Sequence, residues 1–163
     1  MFTISRAIPV NDSSDPDQPA LTRSMVWHGL ELKAENALPF VRAISECELV
    51  RRGGQSLVRE VAVKGERLQE RVTLYPERLV IFERLSGRAA GHILNEIEQG
   101  DDGQLYLRFS FTFEIEGLPN GSPEERAFME SMEQDYLGAV ASTLSAVRRM
   151  AKEGRFADPA TAS

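Results

Sequence analysis

The sequence predicts an α+β fold: a curved antiparallel sheet of six to seven strands gripping a long C-terminal helix, with two short helices after strand 1. Three observations carry this. The last third, from Asn120 to Arg155, has the period of one helix with a marked start and stop. The stretch from Ser45 to Gly117 reads as strands separated by spacers too short for crossovers. The last of those strands has one apolar and one polar face, which calls for a cover on one side only.

Phe2 to Val10 reads as the first strand, with Phe2, Ile4 and Ile8 on one side, and Asn11 to Pro19 is turn chemistry throughout, expected to be a mobile loop. Thr22 is placed to cap a helix from Arg23 to about Asn36, whose Met25, Val26, Leu30 and Leu32 form an imperfect apolar face. Pro39 separates it from a second short helix or turn through Phe40, Val41 and Ile44.

The strands expected next are Glu46–Arg51, Ser56–Val63, Leu68–Tyr75, Arg78–Glu83, Ala90–Glu98 and Leu105–Glu116, split by turn pairs such as Gly53-Gly54 and Lys64-Gly65. In the last strand Leu105, Leu107, Phe109, Phe111, Phe113 and Ile115 alternate with Tyr106, Arg108, Ser110, Thr112, Glu114 and Glu116. A polar second face leaves no room for the other sheet of a sandwich.

The long helix opens on Asn120-Gly121 and a capping box, Ser122-Pro123-Glu124-Glu125, and closes on Arg148, Arg149 and Lys152 before Gly154. Its apolar residues, Phe128 to Ala151, recur at steps of mostly three and four and form a broad stripe suited to a sheet. A coiled coil would need a narrow seam flanked by charges, and Ala139, Ala141, Ser142, Ser145 and Ala146 occupy that flank instead. About 30 helical residues span ~45 Å, enough to cross a whole sheet.

The 163 residues, 42% hydrophobic and 27% charged, fit a single domain over 1–156 with a disordered tail at 157–163. A net charge of −6, with Lys and Arg scattered, lacks the basic stripe nucleic acid requires. No basic, apolar leader and no long apolar run appears, so neither a signal peptide nor a stable membrane association is expected. One cysteine, Cys47, cannot form an internal disulfide, which points to a reducing cytoplasm and to a buried small hydrophobe. With His28 and His92 far apart and no phosphate loop or dinucleotide fingerprint, neither a metal nor a cofactor is expected.

The element order resembles the helix-grip fold of the START and birch-pollen-allergen-like (SRPBCC) superfamily. The strings Val26-Trp27-His28-Gly29-Leu30, Asn36-Ala37-Leu38-Pro39-Phe40, Glu70-Arg71-Val72, Gly103-Gln104-Leu105-Tyr106-Leu107 and Gly121-Ser122-Pro123-Glu124-Glu125 resemble its AtaL-like branch, over residues 2 to 154. The resemblance implies a pocket for a small hydrophobic or amphipathic ligand between sheet and helix. Superfamily members include lipid carriers, polyketide cyclases and hormone receptors, and no catalytic positions carry over.

The wall of such a pocket would come from Phe109, Phe111 and Phe113 on the last strand and Met132, Tyr136 and Val140 on the helix; without the resemblance the same residues read as solid core. Arg59 shares a face with Leu57, Val61 and Val63, so it needs a partner: a carboxylate such as Glu70, or an acidic ligand. Alternation turns Glu70 inward and Arg71 outward. Asn95, between Ile93 and Ile97, is expected to make a cross-strand hydrogen bond, and Trp27 to pack in the core or lie over the pocket mouth. The leading expectation is ligand binding or transport, with Arg59 or Tyr136 orienting the polar end. A cyclase or isomerase on a polyketide-like substrate, moving a proton through Glu70 or Tyr136, is the alternative. A third is a filled-core partner module, dimeric through a sheet edge.

Overall fold

A computed structural model describes residues 1–12 and 14–156; the tail expected at 157–163 lies outside them. The elements run β1 (Phe2–Pro9), α1 (Arg23–Glu35), β2 (Ile44–Gly53), β3 (Ser56–Val63), β4 (Glu66–Tyr75), β5 (Leu79–Arg84), β6 (Ala89–Gln99), β7 (Leu105–Ile115) and α2 (Pro123–Lys152). The strands form one seven-stranded sheet in the order β1-β7-β6-β5-β4-β3-β2, every neighbouring pair antiparallel. From β2 to β7 the chain is a meander. The first strand instead pairs with the last, so the segment holding α1 carries the chain from one sheet edge to the other.

Turn chemistry sets this register. Val63 pairs with Glu66 across Lys64-Gly65, whose φ angles of 49° and 87° are both positive, the geometry that matches the twist of a two-residue hairpin. The two ends of the loop after β1 are tied together: the Asn11 amide donates to Leu21 O (3.0 Å) and accepts from Leu21 N–H (2.7 Å).

Only one of the two helices expected after β1 forms. The Thr22 hydroxyl caps α1 by accepting from Met25 N–H at 3.3 Å. Beyond Asn36 the chain makes turns, with Phe40 and Val41 N–H both bonded to Ala37 O. Pro39 has no N–H to give and disfavours helix in the residue before it, so a single turn closes and does not propagate.

The 30-residue α2 begins and ends where its caps dictate. The Ser122 hydroxyl accepts from Glu125 N–H (3.1 Å), while the Glu125 carboxylate reaches back to Gly121 N–H (2.9 Å), one residue earlier than the usual box because Ser122 N–H is taken by Pro119 O. At the other end Gly154, at φ 75°, lets Arg155 N–H bond Met150 O and its own N–H bond Ala151 O.

The main core lies between the sheet and the two helices, with Phe109, Phe111, Phe113, Leu107 and Ile115 wholly buried on β7 and Val140, Leu144 and Val147 facing them from α2. Trp27 belongs to this core. The other face of β7 carries a polar ladder, including Ser5–Ser110 and Thr3–Thr112 hydroxyl pairs at 2.9 and 3.0 Å. Cys47, expected to be buried, is half-buried on the edge strand β2, against a small cluster of Ala37, Phe40, Val41, Ala139 and Ala146. No helix among the described residues is long and apolar enough to cross a membrane.

Candidate functional site

Between the sheet and the N-terminal half of α2 lies a cavity of about 260 Å³. Phe82, Ala89, Ile93 and Phe109 line it from the sheet; Phe128, Met132, Tyr136, Ala139 and Val140 line it from α2; Lys33, Arg59, Glu70, Arg84 and Asn95 supply its buried polar part, and Lys64, Glu66, Arg88, Ser131 and Asp135 also lie on its lining. The volume is just below the range usual for small-molecule sites, about 300 to 1,000 Å³. Since a cavity of about 150 Å³ takes one benzene, this one suits roughly two fused rings or a short chain folded on itself.

The polar part is built by register. Arg59 on β3 pairs directly with Glu70 on β4, and Glu70 with Arg84 on β5, so alternation puts all three side chains in one row on the inner face. Their side chains are 3%, 4% and 5% exposed, so the three charges have little water to screen them. Arg59 donates through Nε and one Nη to Glu70 Oε1 (3.1 and 3.0 Å) and through its other Nη to the carbonyls of Lys33 and Ala34 near the end of α1 (2.9 and 3.1 Å). Arg84 lies with Nε 3.3 Å from Glu70 Oε2, an ion pair without hydrogen-bond alignment, and donates through an Nη to the Tyr136 hydroxyl at 3.1 Å. Lys33 donates to Asn95 Oδ1 at 2.7 Å. The Phe82 ring carries the Lys33 ammonium nitrogen 5.4 Å and the Arg59 guanidinium 5.2 Å from its centre, and Arg84 lies 5.3 Å from that of Phe113.

The row holds two guanidiniums and one carboxylate, a net positive charge with Lys33 beside it. Burial, reinforced by Arg59 and partly opposed by Glu70, pushes the Lys33 amine down to about 7. Burial raises the Tyr136 phenol above its ordinary value despite Arg84, so it stays protonated at neutral pH. Its oxygen already accepts from Arg84, which leaves its O–H to donate. Buried ion pairs rarely stabilise a fold more than apolar residues of the same size. A row of three on a cavity wall therefore calls for a reason other than stability.

Of the residues expected to form a pocket, Arg59, Glu70, Asn95, Phe109, Met132, Tyr136 and Val140 come together on this lining. Phe111 and Phe113 do not. Phe111 packs against Phe2, Phe109, Phe113 and Tyr136, with centroids 5.2 to 6.1 Å apart, and belongs to solid core. The partner of Asn95 is Lys33 on α1 rather than a cross-strand group. Sequence reasoning misses Lys33 and Arg84, although both leave a signal. Lys33 follows Val26 and Leu30 by seven and three residues on the apolar stripe of α1, and Arg84 continues the inward alternation of Val80 and Phe82.

The chain belongs to the AtaL family: the family model described as acetylaranotin biosynthesis cluster protein L matches residues 6–154. A comparison with curated proteins found no match. Among solved structures, the Zhui aromatase/cyclase from Streptomyces sp. R1128 is similar at 20% identity and a TM-score of 0.68, over 92% of this chain and 95% of that one. The di-domain aromatase/cyclase StfQ of the steffimycin biosynthetic pathway is similar at 8% identity and a TM-score of 0.71, over 92% of this chain and 52% of that one. Ara h 8.0201 matches at 16% identity and a TM-score of 0.59, over 90% and 97%. All three are under 25% identical, and the likenesses establish the helix-grip fold.

Proposed function

We propose that the chain binds a hydrophobic, polyketide-like molecule in this cavity and promotes its cyclisation. The observation that carries the reading is the buried Arg59–Glu70–Arg84 row, with its excess positive charge, on the wall of a cavity that also presents Phe82, Phe109, Met132 and Val140. Neighbours of the same fold named as aromatase/cyclases support it.

In such a ligand the carbon between two carbonyls is acidic and gives up a proton to water as the ligand enters, leaving an enolate. The cationic row stabilises that developing negative charge, and does so strongly because its donors are already fixed in a water-poor site. Both Glu70 oxygens face guanidiniums, so its part is to hold Arg59 and Arg84 in place rather than to move a proton. The Tyr136 hydroxyl, oriented by Arg84, donates to the carbonyl that the enolate carbon attacks. Phe109, Phe82 and Met132 enclose the apolar part and bring the chain's ends together.

Carriage without chemistry is the second reading, favoured by the predominantly apolar lining. Incubation with a diffusible tri- or tetraketide thioester, followed by chromatography and mass spectrometry, separates the two. Cyclisation above the spontaneous rate, lowered roughly 100-fold in Tyr136→Phe, is the expected result. Ligand bound but recovered unchanged would assign carriage; turnover unaffected in both Tyr136→Phe and Glu70→Gln would remove these residues from the chemistry.

A further inference from the structure

The chain has three lysines, Lys33, Lys64 and Lys152, and only Lys33 is buried. Its amine hangs from α1 into the cavity between the Phe82 ring and the Asn95 amide, with the Arg59 guanidinium over the same ring. The charged and titratable groups around the cavity are Arg59 on β3, Glu70 on β4, Arg84 on β5, and Asp135 and Tyr136 on α2, with Lys64, Glu66 and Arg88 also on its lining. A lysine enclosed by apolar walls beside another cation loses its preference for the ammonium form and becomes a nucleophile near neutral pH. The lowered pKa of about 7 agrees with that placement.

We propose that the Lys33 amine condenses reversibly with one carbonyl carbon of a 1,3-dicarbonyl ligand, holding it covalently in the cavity. The inference deepens the cyclisation reading and rests on it. Nζ forms a bond to the carbonyl carbon, giving a carbinolamine. The carbonyl oxygen then leaves as water, taking one hydrogen from the amine and one from the carbon between the two carbonyls. The product is a neutral vinylogous amide, no oxidant or reductant is consumed, and addition of water reverses every step. Neutrality selects the substrate. A simple ketone or aldehyde gives an unconjugated imine that water readily reverses and whose protonated form Arg59 and burial oppose; a 1,3-dicarbonyl gives a conjugated, uncharged adduct whose central carbon remains nucleophilic.

The test is incubation of the full chain with acetylacetone, and separately with acetone, reading near-ultraviolet absorbance, intact mass and the modified peptide. The expected result is one equivalent on Lys33, adding the mass of the dicarbonyl less one water, with no adduct from acetone. At pH 7 labelling of Lys33 exceeds that of Lys64 or Lys152 by at least roughly tenfold, because both of those are exposed and lack the apolar enclosure that activates an amine. Its rate levels off above about pH 8. Lys33→Met loses the adduct, and if that variant does not fold, the ratio among the three lysines of the unaltered chain decides the same question. Labelling that is equal at all three, or absent from Lys33, overturns the proposal. A dicarbonyl retained under native conditions but released without modifying Lys33 also overturns it, while leaving the cyclisation reading to stand on its own turnover assay.

Discussion

The two halves of α2 meet the same protein in opposite ways. From Thr143 to Met150 the helix is packed solid: Val147 sits so close to α1 that a Cβ on Gly29 would lie 2.3 Å from its Cγ2. From Phe128 to Val140 the same helix borders a void with charged groups on its far wall. One continuous helix with sound caps thus rests on close packing at one end and roofs a cavity at the other. The packed end stabilises the fold; the hollow end gives up contacts for a site.

That contrast orders the effects of substitution. The largest falls in solid core: Phe111→Ala should cost about 4 kcal/mol in urea unfolding, since nothing can relax into the space. Glu70→Gln should cost about 3 kcal/mol by leaving Arg59 and Arg84 buried without a counter-charge. Arg59→Met, Glu70→Leu and Arg84→Met together should recover most of that loss yet abolish ligand binding, which would mark the row as functional rather than structural. Gly29→Ala, which forces α1 and α2 apart, should cost about 2 kcal/mol.

Lys33 gives a dependence on pH. Its amine is held below the unfolded value, so between about 7 and the ordinary lysine range near ~10.4 the unfolded chain carries a proton that the folded chain does not. Its contribution to stability therefore rises with pH across that window, by about 1.4 kcal/mol per unit, and is flat below it. Urea midpoints at pH 6.5, 8 and 9.5 should show this slope in the native chain and not in Lys33→Met; equal slopes would mean the amine is not buried as described. The smallest effect belongs to the cavity lining, where Met132→Ala only widens an existing space and should cost about 1 kcal/mol.

Much of the fold is legible in the sequence because alternation and capping are local. The six inward residues of β7, the inward Glu70 beside an outward Arg71, and the Ser122 cap all follow from spacing. The second short helix does not form because apolar spacing continues past Pro39 where the backbone hydrogen bonds do not. The site is less legible. Alternation says that Phe109, Phe111 and Phe113 point inward, but whether the inside is filled depends on how far α2 stands from each, a sum of volumes from distant elements. Lys33 escapes notice because a lysine on a helix reads as solvent-facing, and the amide that receives it lies 62 residues away on β6.

The most direct test is calorimetric titration of 2-naphthoate, two fused rings with one negative charge, into the native chain and into Met132→Trp, whose added bulk fills the void from α2. A single saturable site in the native chain, weakened at least tenfold in Met132→Trp while its melting temperature is retained, is the predicted result. Equal affinity in both proteins, or no saturable binding in the native chain, would contradict a ligand site at the hollow end of the helix.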